Sequence, residues 1–150
     1  MNKFRKTLIS LAGVAGLALA AVPASSQAAA ANANPCGSSF VEVASESKSA
    51  NGLTATLKVY WSDAYNQNCS VFYKTNDNDS MSPMGTLIRP TGGTVADPGG
   101  KDSGWFYSYA GPAYTDKNIN MDGKCVDAHG SIFGHDEPML EIYMPKVACG

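Results

Sequence analysis

The segment Leu53–Thr75, LTATLKVYWSDAYNQNCSVFYKT, is the part of this chain around which its fold is organised. Every second residue from Leu53 to Trp61 is apolar, and threonine, lysine and tyrosine fill the positions between them. Successive side chains of a β-strand project to opposite faces, so this period of two predicts a strand with one face toward a core and the other toward water. The polar segment 62–68 predicts a loop, and the β-branched and aromatic run 69–75 predicts a returning strand. Together they predict a β-hairpin with a long loop.

Turn-forming residues divide the rest of the chain into short segments that have strand character. We expect further strands at 40–44, 84–89, 105–109, 124–128 and 139–144. No stretch of eleven or more residues beyond residue 28 repeats apolar side chains at helical spacing. About seven short strands separated by turns predict an all-β fold, a single small antiparallel β-sandwich or barrel.

The connections carry their own signals. The polar segment 46–52 ends in Asn51-Gly52, a strong signal for a tight turn. Residues 90–104 hold two prolines and five glycines, and this composition predicts an exposed loop. Residues 113–115 are expected to continue the aromatic strand beyond Pro112 as an edge or a bulge.

Residues 1–28 have the order of a secretory signal peptide. A basic start is followed by an apolar, small-residue run at 8–22, and Ser26-Gln27-Ala28 offers small residues to a signal peptidase. The run is short for a membrane span, so a retained membrane anchor is the less favoured alternative. We therefore expect an exported protein with a flexible lead-in at 29–35 and a single β domain at 36–150.

The charge of that domain disfavours two classes of partner. Three of the eleven basic residues and none of the thirteen acidic ones lie in 1–28, which leaves eight against thirteen, a net charge of −5. Nucleic-acid binding depends on neutralising phosphates, and membrane-surface binding on a polybasic patch. We expect no nucleic-acid partner and no membrane partner after signal cleavage, while the true partner stays unknown.

Four cysteines, an even number in an exported chain, predict two disulfides: Cys36, Cys69, Cys125 and Cys149. Their spacing contains no CxxC pair, so zinc binding or redox chemistry is the weaker alternative. The sequence allows three pairings. We favour Cys36–Cys69 with Cys125–Cys149, because the second bond would tie the start of one predicted strand to the end of the next, and these ends are neighbours in an antiparallel pair.

Two polar segments are candidates for a metal or catalytic site. Asp77 and Asp79 alternate as in a calcium loop, but the glycine and the distal glutamate of an EF-hand are missing. His129 and His135 lie near acidic residues, yet their spacing matches neither one face of a helix nor one face of a strand. A solvated loop is the favoured interpretation of each segment, and we expect no catalytic residue, no metal ligand and no cofactor.

An aromatic cluster in the second half is the candidate binding surface: Trp105, Tyr107, Tyr109 and Tyr114. Strand alternation would send the first three of these rings to one face and Phe106 to the other. The favoured interpretation is that the aromatic rings fill a small core. The alternative is an exposed platform for sugar rings or a partner protein.

A set of short motifs gives the chain a family resemblance. The segment 107–114, YSYAGPAY, is followed by Gly123-Lys124-Cys125-Val126 and by Gly130-Ser131-Ile132, and Asn68-Cys69-Ser70-Val71 lies in the first half. With these motifs the chain resembles the spore-associated protein A family of filamentous actinobacteria over most of 36–149. The resemblance implies a small, exported, cysteine-bridged protein found with spores or at the cell surface, and it implies no catalytic residues.

The leading functional expectation is therefore a secreted, non-enzymatic protein associated with spores or the cell surface. Its expected partners are spore or cell-wall components. The second is a secreted binding module or inhibitor that recognises a cell-wall glycan or a secreted enzyme. A secreted hydrolase is the third.

Overall fold

The structure is a computed structural model, and it describes residues 34–75, 80–93, 99–133 and 138–149. These residues belong to one compact unit, Ala31–Gly150. They form eight β-strands and no helix. The strands are β1 Val41–Ala50, β2 Leu53–Ser62, β3 Gln67–Lys74, β4 Ser82–Pro90, β5 Gly100–Phe106, β6 Tyr109–Tyr114, β7 Val126–Phe133 and β8 Pro138–Val147.

The strands form two four-stranded sheets. Sheet A has the order β1-β2-β3-β6 and sheet B the order β5-β4-β7-β8, with every neighbouring pair antiparallel. The sheets pack face to face, and their edges meet on both sides, where Gly111 N donates to Asp102 Oδ2 at 2.7 Å and Lys48 Nζ donates to Glu141 O at 3.1 Å. The predicted antiparallel sandwich is confirmed, with eight strands where about seven were expected.

The predicted hairpin is the centre of sheet A. Strands β2 and β3 pair from Ala55↔Lys74 to Ser62↔Gln67, and Leu57 and Val59 are fully buried between the sheets. The apolar face of β2 therefore has the predicted register. A buried hydroxyl pair also joins the sheets through the core, with Ser70 Oγ 2.9 Å from Thr86 Oγ1.

Both favoured disulfide pairings are confirmed. Cys36 is bonded to Cys69, and Cys125 is bonded to Cys149. The second bond lies beside the paired residues Val126 and Val147, which are the start of β7 and the end of β8. The start of one strand and the end of the next are adjacent in an antiparallel pair, as the predicted pairing requires.

Strand β1 extends further than the sequence predicted. The expected strand ended at 44, whereas β1 runs through the polar segment to Ala50 and turns at Asn51-Gly52 as predicted. An edge strand needs backbone hydrogen bonds to only one neighbour, so it does not require buried apolar side chains. Cross-strand hydroxyl pairs also support it, with Ser47 Oγ 2.7 Å from Thr56 Oγ1.

Two predictions around the aromatic segment are wrong. Residues 100–104, expected in an exposed loop, form most of β5, and the expected strand 105–109 is broken by a bend at Tyr107–Ser108. The glycines of 99–104 do not prevent a strand here, because β5 lies at the edge of sheet B and pairs through backbone hydrogen bonds with β4 alone. The expectation for 113–115 is confirmed in part, since β6 passes through Pro112 at the edge of sheet A with a register shift.

Several predicted features lie outside the described residues. These are the signal peptide 1–28, most of the lead-in 29–35, the Asp77/Asp79 segment and His135 with its acidic neighbours. They stay predictions.

Candidate functional site: an aromatic face on sheet A

The four predicted aromatic residues are exposed. The exposed fraction is 65% for Trp105, 57% for Tyr107, 38% for Tyr109 and 36% for Tyr114. The favoured prediction that these rings fill the core is wrong. The inward positions of β5 and β6 are taken by Phe106 and by small residues such as Ala110 and Ala113, so the larger rings occupy outward positions.

The same four residues do not share one surface. Trp105 is paired with Pro83 of β4 on the outer face of sheet B, while Tyr109 is paired with Tyr73 of β3 on the outer face of sheet A. The bend at Tyr107–Ser108 carries the chain from one sheet to the other. The four residues therefore do not form one exposed platform.

On sheet A the outward-facing aromatic residues form a group around Tyr73. The Tyr73 ring lies 5.7 Å from the ring of Tyr109, and its hydroxyl lies 3.3 Å from the hydroxyl of Tyr60. Lys58 Nζ is 5.9 Å from the centre of the Tyr73 ring and also forms an ion pair with Glu42 at 2.8 Å. These contacts hold the rings in fixed relative positions on a sheet surface.

A second group of rings lies beside the group around Tyr73, where residues 34–40 precede β1. We call residues 34–40 the N-terminal segment. The Phe40 ring lies 5.9 Å from that of Tyr65 in a stacked arrangement and 5.5 Å from that of Tyr114 in a tilted one. Such offset and tilted geometries are the ones that aromatic pairs favour. We use the name aromatic face for the outer surface of sheet A that these two groups form, with the members Phe40, Tyr60, Tyr65, Tyr73, Tyr109 and Tyr114.

The first disulfide fixes the N-terminal segment against this face. The Cys36–Cys69 bond joins it to the outer side of β3, Tyr114 Oη donates to Cys36 O at 3.2 Å, and Asn34 Nδ2 donates to Phe40 O at 2.7 Å. As a result Phe40 is only 6% exposed, although it lies outside the two-sheet core. The segment forms a small second hydrophobic cluster on the back of sheet A.

This cluster explains one difference from the sequence prediction. The alternation in 53–62 placed Tyr60 on the water side of β2, and its outward orientation is correct, but the residue is only 5% exposed. The N-terminal segment covers it together with Val71. The outer face of sheet A is thus partly apolar, and this cannot be read from the period of the strand.

Beside the cluster lies an open groove of about 520 Å³. Its walls are the rings of Phe40, Tyr65 and Tyr114, and Gln67 and Lys117 lie among its polar lining. Gln67 Nε2 donates to Thr115 O at 2.8 Å, which holds the amide against the strand. The groove therefore combines aromatic walls with a few positioned polar groups, the usual composition of a small-ligand site.

Three phenols of the aromatic face, those of Tyr60, Tyr73 and Tyr114, have a raised pKa and so favour the neutral form. Burial raises the pKa of Tyr73, and the hydrogen bond with Tyr60 raises it further. Burial likewise raises the pKa of Tyr60 and of Tyr114. A neutral phenol both donates and accepts hydrogen bonds, so the face can bind hydroxyl groups over the physiological pH range.

His129 lies on the opposite side of the sandwich. Its Nε2 is 3.7 Å from Glu141 Oε1, and its ring centre is 6.4 Å from that of Tyr143, on the outer face of sheet B. The nearby Asp127 is nearly buried and accepts hydrogen bonds from Thr91 Oγ1 and Lys146 N, which gives it a structural role. Among the described residues, no group of three His, Cys, Asp or Glu side chains is arranged to hold a metal ion.

Sequence reasoning found two members of the aromatic face, Tyr109 and Tyr114, and missed the other four: Phe40, Tyr60, Tyr65 and Tyr73. The available signal was the favoured Cys36–Cys69 pairing, which places the segment containing Phe40 next to β3. Tyr73 lies four residues after Cys69, on the same outward face of that strand.

Comparison with known proteins gave no matching family model, no similar curated protein and no similar solved structure. In the described part of the chain, no helix has the length and hydropathy needed to cross a membrane.

Proposed function

We propose that this chain is a secreted, non-enzymatic protein of the spore or cell surface that binds a cell-wall glycan through the aromatic face of sheet A. The observation that carries the proposal is the groove walled by Phe40, Tyr65 and Tyr114, because Tyr65 and Tyr114 are exposed and the Cys36–Cys69 disulfide holds the segment of the buried Phe40 beside them. Two disulfides also fit an oxidising, extracellular location.

The chemistry of the groove suits sugars. A pyranose ring has an apolar face of C–H groups, which packs on an aromatic ring, and a rim of hydroxyls, which need hydrogen-bond partners. The walls offer the first kind of contact, and Tyr114, Gln67 and Lys117 offer polar groups at the rim. Tyr65, with 60% of its surface exposed, is the ring most accessible for stacking.

The groove lacks the usual equipment of a glycoside hydrolase. Such enzymes generally use a pair of Asp or Glu side chains on either side of the scissile bond. Among the described residues that line the groove there is no Asp or Glu and no histidine. This composition supports binding over hydrolysis, and the hydrolase alternative has no arrangement of described residues in its favour.

A partner protein is the second candidate ligand, and one observation favours it. Tyrosine is enriched at protein interfaces, and the aromatic face continues beyond the groove to Tyr73 and Tyr109. A secreted enzyme bound at this surface would make the chain an inhibitor or an adaptor. Digestion of the bound cell walls with glycan-degrading enzymes or with protease separates the two ligands.

The first test measures two interactions. Binding to isolated cell walls of a filamentous bacterium is measured by co-sedimentation, and binding to soluble N-acetylglucosamine oligomers is measured by calorimetry. We expect Tyr65→Ala to weaken both interactions by about tenfold or more, the effect of losing roughly 1.4 kcal/mol of stacking. Tyr143→Ala is the matched control, because Tyr143 is 52% exposed but lies on sheet B. Equal losses in the two variants would contradict the proposed site.

Digestion of the walls distinguishes the ligands. If a glycan is bound, glycan-degrading enzymes release the protein and prior protease treatment of the walls does not. The opposite pattern would establish a protein partner.

Secretion is tested separately. N-terminal sequencing of protein from the culture medium should begin at or near Ala29, and an intact Met1 would contradict export with cleavage.

A further inference from the structure

A second cavity, remote from the groove, lies at one end of the sandwich. It has a volume of about 300 Å³ and is lined by Val43, Trp61, Met121, Ala148 and Cys149. These residues come from β1, from the end of β2, from the connection between β6 and β7, and from the chain after β8. Four separate segments of the chain therefore converge on it.

The five described lining residues have uncharged, largely apolar side chains, and polar atoms supply the smaller part of the cavity surface. It contains no charged side chain among the described residues, and Met121, only 1% exposed, belongs to the main core. The one polar atom of an aromatic side chain in the wall, Trp61 Nε1, already donates to Asp63 Oδ1 at 2.6 Å. A ligand in this cavity would meet mainly hydrocarbon, indole and disulfide surface, and an ionised group would lose hydration without gaining an oppositely charged side chain from the described lining residues.

The walls are fixed by covalent and backbone bonds. The Cys125–Cys149 disulfide holds the C-terminal wall, and Met121 N donates to Asn66 O at 3.2 Å, which ties the β6–β7 connection to the hairpin loop. A preformed cavity avoids the ordering cost that weakens binding by flexible segments.

Two backbone irregularities occur at the cavity. Val43 is the extra residue of a β-bulge, since the register of β1 passes from Glu42↔Tyr60 to Ala44↔Val59. Ala148 has a φ of 51°, in the left-handed region that residues other than glycine seldom adopt. Bulges re-aim side chains beside binding sites, and strained backbone is concentrated there. The bulge leaves Val43, an apolar residue, 44% exposed in the lining.

From these observations we infer that the end cavity is a binding site for a small, uncharged apolar molecule, one or two hydrocarbon rings in size. The size follows from the volume, because an apolar protein cavity of about 150 Å³ takes up benzene. The ligand should be uncharged because none of the described lining residues has a charged side chain. This site is independent of the aromatic face, and the protein would carry an apolar ligand at one end while sheet A remains available.

Toluene and benzoate test the inference, since they share a ring and differ in charge. We expect toluene to shift the methyl resonances of Met121 and Ala148 and the indole N–H of Trp61 in NMR spectra of the intact protein, with saturation. Benzoate at the same concentrations should leave these resonances unchanged. Absence of saturable toluene shifts, or equal shifts with benzoate, would overturn the inference.

A pair of variants locates the site. Val43→Asp places a carboxylate at the cavity and should weaken toluene binding by about tenfold or more. Val41→Asp is the matched control, because Val41 lies on the same strand, is 60% exposed and does not line the cavity. Equal effects of the two variants would indicate adsorption to the surface and would also overturn the inference. Both positions are exposed, so both variants are expected to fold, and the toluene shifts in the unsubstituted protein provide a reading that needs no variant.

Discussion

Gly130→Ala should destabilise the sandwich because it adds a methyl group where the two sheets touch. Gly130 lies on the inner face of β7 and is buried. A Cβ atom there would lie 2.6 Å from Cγ of Phe72, which is itself fully buried on β3. Carbon atoms pack at about 3.5–4.0 Å, so the ring or the backbone must move. Cδ2 of the same ring would lie closer still, and Cγ lies on the χ2 axis, so rotation of the ring about χ2 cannot relieve the clash.

Two opposing effects set the magnitude. Replacing glycine by alanine in a strand reduces the entropy lost on folding and stabilises by roughly 0.5–1 kcal/mol. Overpacking a filled core costs typically about 1–3 kcal/mol. With a rigid clash the second effect is near its upper value, so we expect a net loss of about 2 kcal/mol. For a domain of this size that lowers the thermal midpoint by roughly 8 °C.

Urea and thermal melts in oxidising buffer provide the assay. Gly85→Ala is the matched control, since Gly85 is also in a strand of sheet B but an added Cβ would approach no atom closer than 3.4 Å. Its stability should change by less than about 1 kcal/mol. The double variant Gly130→Ala with Phe72→Leu should be more stable than the sum of the single losses predicts, by about 1 kcal/mol.

Additive losses in that double-variant cycle would refute the reasoning, because they would mean that Gly130 and Phe72 do not share space. An unchanged midpoint for Gly130→Ala alone would also refute it.

Three further predictions follow from the two faces of sheet A. Leu57→Ala should cost about 2–5 kcal/mol and Lys58→Ala less than about 1 kcal/mol in paired urea melts, because Leu57 is fully buried and Lys58 forms a partly exposed ion pair; equal midpoints would contradict the assigned register. Joint replacement of Cys36 and Cys69 by serine should lower the free energy of unfolding by roughly 3–4 kcal/mol and abolish binding at the groove, while the β-sheet circular dichroism signal remains. Retained glycan affinity would show that this bond is not needed to hold the groove residues in place. The folded-state pKa of Tyr73 is raised above its usual value of 10.0, so the stability that depends on its neutral phenol is complete below about pH 10 and is lost as the pH rises through the folded-state pKa. The Tyr73→Phe variant should therefore lose less stability between pH 8 and about pH 11 than the parent protein, and parallel losses would show that this phenol does not contribute.

Much of the fold is determined by local sequence. The alternation in 53–62 fixes which side of β2 faces the core, since a shift of one residue would expose Leu57 and Val59 and bury Thr56 and Lys58. Asn51-Gly52 specifies the tight turn before it, because both residues adopt a positive φ there. The neighbouring ends of an antiparallel pair also predict the Cys125–Cys149 bond.

Other features depend on interactions between segments that are distant in the sequence. Residues 100–104 become a strand because β4 offers an edge to pair with, whereas their glycines locally favour a loop. The chain bends at Tyr107–Ser108 because β5 and β6 belong to different sheets, and this bend separates Trp105 from Tyr109. A local pattern contains no information on where a strand leaves one sheet for another.

The candidate site shows the same division. Composition shows that tyrosines are abundant in the chain, and strand alternation turns each one in a strand toward the core or away from it. Which of the outward rings meet was decided only by the tertiary structure, because the Cys36–Cys69 bond brings Phe40 to β3 across 33 residues and the ladder places Tyr109 beside Tyr73. An aromatic face built from four segments of the chain is a property of their packing, since no one segment contains enough rings to form it.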